Sequence, residues 1–598
     1  MNHASTDPLL QPYRLKHLTF KNRIMTTSHE PAYAEDGMPK QRYRAYHVER
    51  ARAGVALTMT AGSAAVSKDS PPVFNNVLAF KDEVVPWMRD LADACHEHGA
   101  AVMIQLTHLG RRTRWDKNFW LPVVSPSHRK EAAHRAFPKQ IEDWDIERLI
   151  KDYADAAERM QAAGLDGIEL QAYGHLMDQF WSPLTNTLEG PYGGPLDQRL
   201  RFTFDVLTAI RARVGAQFVV GIRYTGDEAL DGGLNKQDGL AISRRLKDSG
   251  MVDFLNVVRG HIDTDAGLTD LIPIQGMASA PHLDFSGEIR AATQFPTFHA
   301  ARIQDVATAR HAIAAGKVDM VGMTRAHMTD PHIVRKGREL FMPHEIEPAR
   351  IRRREMLGII EWRMAQCLGR GVEFRFDTPA EAADVARERP DVVIIATGGS
   401  PHTAVLGSGN EWVASAWDVI SGAVQLRGDV LLFDDAGDHA GLQAAEFIAR
   451  GGARLEIMTP DRSFAPEVMA MNLVPYMRSL QALDVTFTVT FRLLSVSQDG
   501  GKLRAVVGSD YGGVRRERCV DHVVVNHGTL PNDELYFALK ADSRNHGAVD
   551  QVRLIAGLAQ DTLVNQAGAY QLFRIGDAVA ARNTHAAIYD ALRLVKDI

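Results

Sequence analysis

The sequence predicts an α/β protein in two parts: an N-terminal (β/α)8 barrel, then a doubly wound nucleotide-binding region of the FAD/NAD type. Three observations carry this expectation. Eight short apolar segments alternate with helix patterns between Leu18 and Gly337, which is the layout of a barrel. The composition changes near residue 338. Beyond it come near-continuous apolar runs ending in Gly, as expected of parallel strands buried on both faces.

The barrel strands are expected at residues 23–27, 55–60, 101–106, 167–171, 218–223, 254–258, 296–300 and 320–323. The helix pattern over 146–163 places Ile146, Leu149, Ala154 and Ala157 on one face, with Asp145 as N-cap and Gly164 as stop. An Ala-rich pattern over 305–316, closed by Gly316, joins the last two strands into a βαβ unit. The loops after strands three, four and six are long, and long loops at the C-terminal mouth are where barrel enzymes place substrate groups. Residues 341–355 are polar, basic and Pro-containing, which reads as a linker, and a helix pattern follows over 356–369. Later strands are expected within 390–401, 428–437 and 521–528. The divisions are then 1–340 for the barrel, 341–427 for linker and part of a FAD-type domain, 428–535 for an NAD-type domain, and 536–598 for the rest of the FAD-type domain.

Composition narrows the function classes. The 598 residues carry 45% hydrophobic and 24% charged residues with a formal charge of -6, so a basic nucleic-acid footprint is absent. No apolar run approaches a membrane span, and the N-terminus has no secretory h-region. Three separated cysteines, Cys95, Cys367 and Cys519, fit reduced thiols in a cytoplasmic protein. No metal site is expected from these residues, and further copies of the chain are expected as partners.

The last two strands end in small residues and an arginine, at Ala301-Arg302 and Thr324-Arg325. Barrels commonly bind a phosphate at this place. Gln105 ends strand three, and its amide both donates and accepts, which suits the pyrimidine edge of a flavin. Arg223 ends strand five, where a cation could stabilise an anionic reduced ring. Together these point to flavin mononucleotide, with Ser28 and Ala61 at the ends of strands one and two as further cofactor contacts.

Residues 8–337 resemble the Old Yellow Enzyme superfamily of FMN-dependent barrels. The matching pieces are Asn22-Arg-Ile24, Gln105-Leu-Thr-His108-Leu-Gly-Arg111, Asp166-Gly-Ile-Glu169, Gln179-Phe-Trp-Ser-Pro183, Tyr192-Gly-Gly194 with Gln198-Arg-Leu-Arg-Phe202, and Arg325 before Asp330-Pro331. The two-part layout resembles the long branch: trimethylamine and histamine dehydrogenases, 2,4-dienoyl-CoA reductase and demethylases of N-methylated amino acids. That resemblance implies FAD, with Ile395-Ala-Thr-Gly-Gly399 and Gly576-Asp577 as the matching residues, Asp577 toward the ribityl chain. It also implies a [4Fe-4S] cluster, but the four-cysteine run that would hold one is absent here. The Gly-rich turn that opens the FAD domain is absent between Gly337 and Arg353, and on the family's layout several tens of residues are missing at this junction. At the second dinucleotide turn, Phe433-Asp-Asp-Ala-Gly-Asp-His-Ala-Gly441 puts acids where a pyrophosphate would lie, which disfavours NAD(P)H.

The substrate loop departs from the ene-reductase pattern. Gln171, Tyr173 and His175 replace the usual pair that polarises a carbonyl, and Tyr173 resembles the Tyr of the amine dehydrogenases. Glu30, after strand one beside His29, replaces the family cysteine that bonds to flavin, so FMN is expected to be noncovalent. A Glu could pair with a substituted ammonium, and Tyr173, Trp181, Trp115 and Trp120 could supply aromatic faces for it. Arg259, followed by His261, could fork onto a carboxylate. These residues describe a methylated amine or N-methyl amino acid as substrate. Oxidative N-demethylation would pass hydride to flavin N5 and release formaldehyde, with Tyr173 and His175 as proton acceptors and His175 nearer an ordinary working basicity. An electron-transfer flavoprotein or oxygen would serve as outside acceptor. The alternatives are an NAD(P)H-dependent reductase of enoyl or dienoyl thioesters, and an electron-transfer or scaffold subunit with a degraded nucleotide site.

Overall fold

The computed structural model describes residues 7–70, 72, 74–112, 119–131, 137–274, 276–336 and 357–596. It divides into two units, 1–346 and 347–598.

The first unit is a closed barrel of eight parallel strands. They are β1 (Ile24–Thr26), β2 (Leu57–Ala65), β3 (Ala101–Thr107), β4 (Gly167–Ala172), β5 (Val219–Thr225), β6 (Phe254–Val258), β7 (Thr297–His299) and β8 (Met320–Gly322). Each pairs with its neighbour in sequence, and β8 pairs with β1 to close the ring. Every strand falls where the apolar pattern put it, within a few residues. β2 runs furthest past its expected end, because its pairing with β3 breaks between Thr60 and Ala64 and then resumes. Ala61 and Ser63 take positive φ within that break, at 47° and 76°. The break points β2 differently where it reaches the mouth, as bulges near active sites commonly do.

An antiparallel hairpin, Tyr13–Leu15 with Leu18–Phe20, packs Leu15 and Phe20 against Met25, Met59, Met103, Phe254, Phe298 and Met320 inside the barrel. That apolar plug fills the N-terminal end and leaves polar side chains for the other. The helix expected over 146–163 runs Asp143–Ala162. Its N-cap is Glu142 rather than Asp145; Asp145 is the third residue in, and its carboxylate accepts from the Glu142 N–H at 3.0 Å. The capping box shifts the start by three positions. The helix between β7 and β8 runs Val306–Ala314, with Asp305 capping the Thr308 N–H at 2.7 Å.

In the second unit, five parallel strands form a sheet in the order Val413–Ser415, His522–Asn526, Asp429–Asp434, Arg454–Met458, Thr486–Thr488. The first of these precedes residue 428, so this sheet begins earlier than the expected boundary. A three-stranded antiparallel meander over Arg492–Val520 packs on it through Leu493, Val496, Ala505 and Val507 against Leu431 and Phe433. Val392–Ile395 pairs in parallel only with Gln571–Arg574 among the described residues. Among the described residues no helix is long and apolar enough to cross a membrane.

Candidate active site

At the C-terminal end of the barrel a polar layer replaces the methionine and phenylalanine plug. Its centre is Glu169 of β4, fully buried. One carboxylate oxygen accepts from the Ser28 hydroxyl at 3.1 Å and the Gln105 amide at 2.7 Å; the other accepts from the Asn256 amide at 2.7 Å. Burial pushes the Glu169 carboxyl up, while the Arg223 charge and the three donors pull it back. Arg223 of β5 reaches across to the Ser28 carbonyl at 3.4 Å and hydroxyl at 3.3 Å. Strands one, three, four, five and six are thereby tied at one level.

Several buried polar atoms of this layer have no hydrogen-bond partner among the described residues. They are Nε of Arg223, Oδ1 of Asn256 and Nε2 of His299. Buried polar atoms in folded proteins are normally paired, so three of them at one barrel mouth mark a place built for a polar ligand. Gln105 carries Glu169 on its nitrogen and accepts the Ser63 N–H at 3.3 Å on its oxygen, so a ring edge meeting it would have to share both.

The loops expected to hold a phosphate follow β7 and β8. After β7, Ala301 and Arg302 both take positive φ, 123° and 56°, a strain that non-glycine residues hold mainly at functional sites. Arg302 donates to the Ile274 carbonyl at 2.6 Å. Arg325, after β8, makes no ion pair among the described residues; crowding by protein, then the Arg302 charge, holds its guanidinium below its usual range. Two neighbouring cations with that mutual penalty favour an anion between them. Thr324 is partly engaged, since its hydroxyl accepts the Thr27 N–H at 2.8 Å and bonds the Thr27 hydroxyl at 2.7 Å. The Ala61 N–H is likewise taken, by the Tyr43 hydroxyl at 2.8 Å. The donor set fits FMN: Arg302 and Arg325 would hold the phosphate, with Gln105 and Arg223 at the ring.

The substrate residues divide. Tyr173 lies partly exposed with the Arg223 guanidinium 4.9 Å from its ring centre, and its ring stacks on His175 at 5.9 Å. Burial raises the Tyr173 phenol. The expectation that His175 keeps ordinary basicity fails. Burial, then the Arg112 charge, lowers it to about 3, so this imidazole stays neutral and hydrogen-bonds Thr107 at 3.2 Å. Gln171 accepts the Ser63 hydroxyl at 2.7 Å, and its Nε2 has no partner among the described residues. Glu30 has one oxygen on the Ala32 N–H at 3.1 Å and the other buried without a partner among the described residues.

Other expected substrate contacts are spent elsewhere. His29 has both ring nitrogens engaged, on the Thr27 carbonyl at 2.9 Å and the Tyr46 hydroxyl at 2.7 Å, so it braces the loop. Trp181 is fully buried, with its indole N–H on the Thr203 hydroxyl at 2.7 Å and Tyr224 beside it; it is a core residue and not an aromatic wall. Trp181→Ala is expected to cost about 3–5 kcal/mol in urea unfolding while leaving FMN affinity of the folded protein unchanged. Trp115 lies outside the described residues, and Trp120 is 64% exposed. Arg259 binds Asp227 through Nε at 2.9 Å with its side chain 41% exposed. His261 accepts the Asp263 N–H at 3.2 Å, and burial lowers its pKa. His108 and Arg111 are structural: His108 bonds Asp69 at 3.0 Å, and Arg111 donates to both oxygens of Asp263 at 2.9 and 3.0 Å.

The second unit gives a different picture. Asp434 ends its strand buried, accepting from Asn526 at 2.8 Å, and burial pushes it up to about 6. Gly441 lies against that carboxylate so closely that a Cβ there would overlap it. Asp435 bonds His527 at 2.6 Å, and Asp438 caps the Ala440 N–H at 2.8 Å. Three acids therefore surround the helix start where a pyrophosphate would sit, and they oppose one. Gly576 and Asp577 form a turn closed by Asp590 and by the Arg582 N–H, but the described residues beside it offer no glycine-rich phosphate turn. The acids at this helix start do not fit a bound pyrophosphate there, and three cysteines do not fit a [4Fe-4S] cluster.

Fold and site together define a flavin-dependent oxidoreductase barrel. Residues 8–340 match the NADH:flavin oxidoreductase / NADH oxidase family, and the chain belongs to it. Among individual relatives, it is 64% identical to the "Probable N-methylproline demethylase" of Rhizobium meliloti (strain 1021), covering 99% of this chain and 100% of that one. That alignment spans 675 positions against 598 residues here, so at least 77 of them face no residue of this chain. The "N,N-dimethylglycine/sarcosine dehydrogenase" of Chromohalobacter salexigens is 37% identical, with 99% of each chain covered. The solved structure of a 2-naphthoyl-CoA reductase shares the fold, with a TM-score of 0.83 at 20% identity over 99% of each chain.

Sequence reasoning missed Glu169, Asn256 and His299 as members of the site. Glu169 stood inside a quoted motif and its charge in an otherwise apolar strand was the available signal. Asn256, the one polar residue in the middle of its strand, and His299, at the end of its strand, offered a similar signal.

Proposed function

We propose that the chain is an FMN-dependent oxidoreductase that removes an N-methyl group, as formaldehyde, from a methylated amine or N-methyl amino acid. The identity of 64% over its whole length to a protein named for N-methylproline demethylation carries this reading. The barrel mouth supports it. FMN, when bound, takes up a hydride equivalent from the carbon beside the amine nitrogen. Arg302 and Arg325 would anchor it, and Arg223 would place a positive charge beside its ring. The Gln171 amide, with its nitrogen unengaged among the described residues, would meet a substrate carboxylate. Tyr173 walls the site, and neutral His175 holds Tyr173 in place by stacking. A cytoplasmic setting fits the three unpaired cysteines. Reoxidation falls to an outside acceptor, for which an electron-transfer flavoprotein or oxygen serves.

Anaerobic titration tests the reading. N-methylproline or N,N-dimethylglycine should bleach the flavin band and yield one formaldehyde per flavin reduced, whereas NADPH should leave the band unchanged. Bleaching by NADPH with no response to any methylated amine would replace this function with the thioester reductase.

A further inference from the structure

The loop after β1 holds a carboxyl group, Glu30, whose second oxygen has no partner among the described residues. Ser28 of this loop touches Arg223, so the loop borders the polar layer of the barrel mouth. It is clamped onto the end of β2: the Gly62 N–H donates to the His29 carbonyl at 2.8 Å. A Cβ on Gly62 would lie 2.7 Å from the His29 carbonyl carbon and 2.8 Å from the Glu30 nitrogen, so only glycine admits this approach. With His29 locked by Thr27 and Tyr46, Glu30 is fixed at the mouth with Oε1 on the Ala32 N–H and Oε2 buried and unsatisfied. No Lys or Arg ion pair reaches it among the described residues. A donor brought by a ligand would complete it, and a single buried oxygen suits a single charged N–H.

We propose that Glu30 accepts, at Oε2, the ammonium proton of the bound substrate, leaving the amine neutral for loss of hydride. This rests on the demethylation reading above. As the ammonium binds, Glu30 gives its own proton to solvent; the N–H bond then breaks with its electron pair kept on nitrogen, and an O–H bond forms on the Glu30 carboxylate. The methyl C–H pair then leaves as hydride to the bound flavin oxidant, and the nitrogen pair forms a C=N bond. Water adds to that iminium carbon and gives up one proton to solvent; the C–N bond of the adduct then breaks with its hydroxyl proton passing to nitrogen, which yields formaldehyde and the demethylated amine.

The other candidates for this proton are poorly matched. Tyr173 is a phenol raised above its usual range, and His175 and His299 are buried imidazoles lowered to about 3 and about 4. Burial raises Glu30 to about 8 without a ligand. Around it, the helix Gln41–Arg52 presents Tyr43, which feels the Glu30 charge, and Tyr46, His47 and Arg50. Tyr46 and His47 engage His29 and Thr58, and Arg50 lies over Tyr46. β2 contributes Ala61, Gly62 and Ser63, which do not titrate, and Arg223 of β5 reaches the loop at Ser28.

Trimethylglycine, whose nitrogen has no proton, is the binding probe. Calorimetry at pH 7 in buffers of different ionisation enthalpy should show close to one proton released per site in the wild type and none in Glu30→Gln. In stopped-flow reduction by N,N-dimethylglycine at pH 7, Glu30→Gln, with its flavin spectrum intact, should be slowed by roughly 100-fold or more. Its rate should recover as pH rises toward 10, because the amine then arrives neutral. Glu30→Asp, which keeps a carboxyl, should retain part of the rate at pH 7. A Glu30→Gln defect that stays constant from pH 7 to pH 10, a wild-type rate in that variant, or binding without proton release would overturn the proposal while leaving demethylation standing. A wild-type flavin that no methylated amine bleaches would remove both.

Discussion

Arg325→Ala is expected to yield a protein that purifies largely without flavin, yet unfolds at the same urea concentration as the wild-type apoprotein. The two halves of this result have one cause. Arg325 makes no ion pair among the described residues, and burial, then the Arg302 charge, lowers its guanidinium. Removing it costs the empty fold nothing and relieves a repulsion. A phosphate dianion would reverse the balance, because each charge-assisted hydrogen bond contributes about 1.5–3 kcal/mol. Losing one such contact weakens FMN by roughly 10- to 100-fold at 1.4 kcal/mol per tenfold. Riboflavin, which has the ring and no phosphate, should bind wild type and Arg325→Ala alike. Fluorescence quenching titrations with the two flavins measure this directly, and an equal loss for both would place Arg325 away from the phosphate.

The barrel was legible because its signal repeats. Eight apolar segments, separated by helix patterns, leave few alternatives, and local errors such as the N-cap expected at Asp145 and found at Glu142 do not propagate. The candidate cofactor residues were legible where a residue type has few reasons to be at a strand end, as with Gln105, Arg223 and Arg325. Trp181 and His29 misled for a common reason. Both lie in loops whose sequence position says mouth, and only tertiary contacts reveal that Thr203 and Tyr46 have claimed their polar atoms. The basicity of His175 was hidden as well, since burial sets it and burial is a property of the whole packing. In the second unit the acids at Asp434, Asp435 and Asp438 were readable at once, because like charges at a helix start carry the same meaning in any fold.

Glu169 gives the second large effect, and two substitutions separate its charge from its shape. Its three partners, Ser28, Gln105 and Asn256, all donate, so the geometry holds the carboxylate ion. Glu169→Leu strands those donors and leaves the Arg223 charge buried without its counterpart, and about 3–5 kcal/mol of stability should be lost. Glu169→Gln is gentler for a specific reason. Asn256 Oδ1 has no partner, so its amide can turn over and accept from the new Gln nitrogen, and every hydrogen bond can be remade. Only the negative charge is gone. The flavin site then becomes more positive, which favours the reduced anionic ring, and the reduction potential should rise by on the order of tens of millivolts, at about 30 mV per 1.4 kcal/mol for two electrons. A spectroelectrochemical titration reads that shift. A fall in potential, or a Glu169→Gln protein as unstable as Glu169→Leu, would mean that Glu169 acts through packing and not through the charge it sets opposite Arg223.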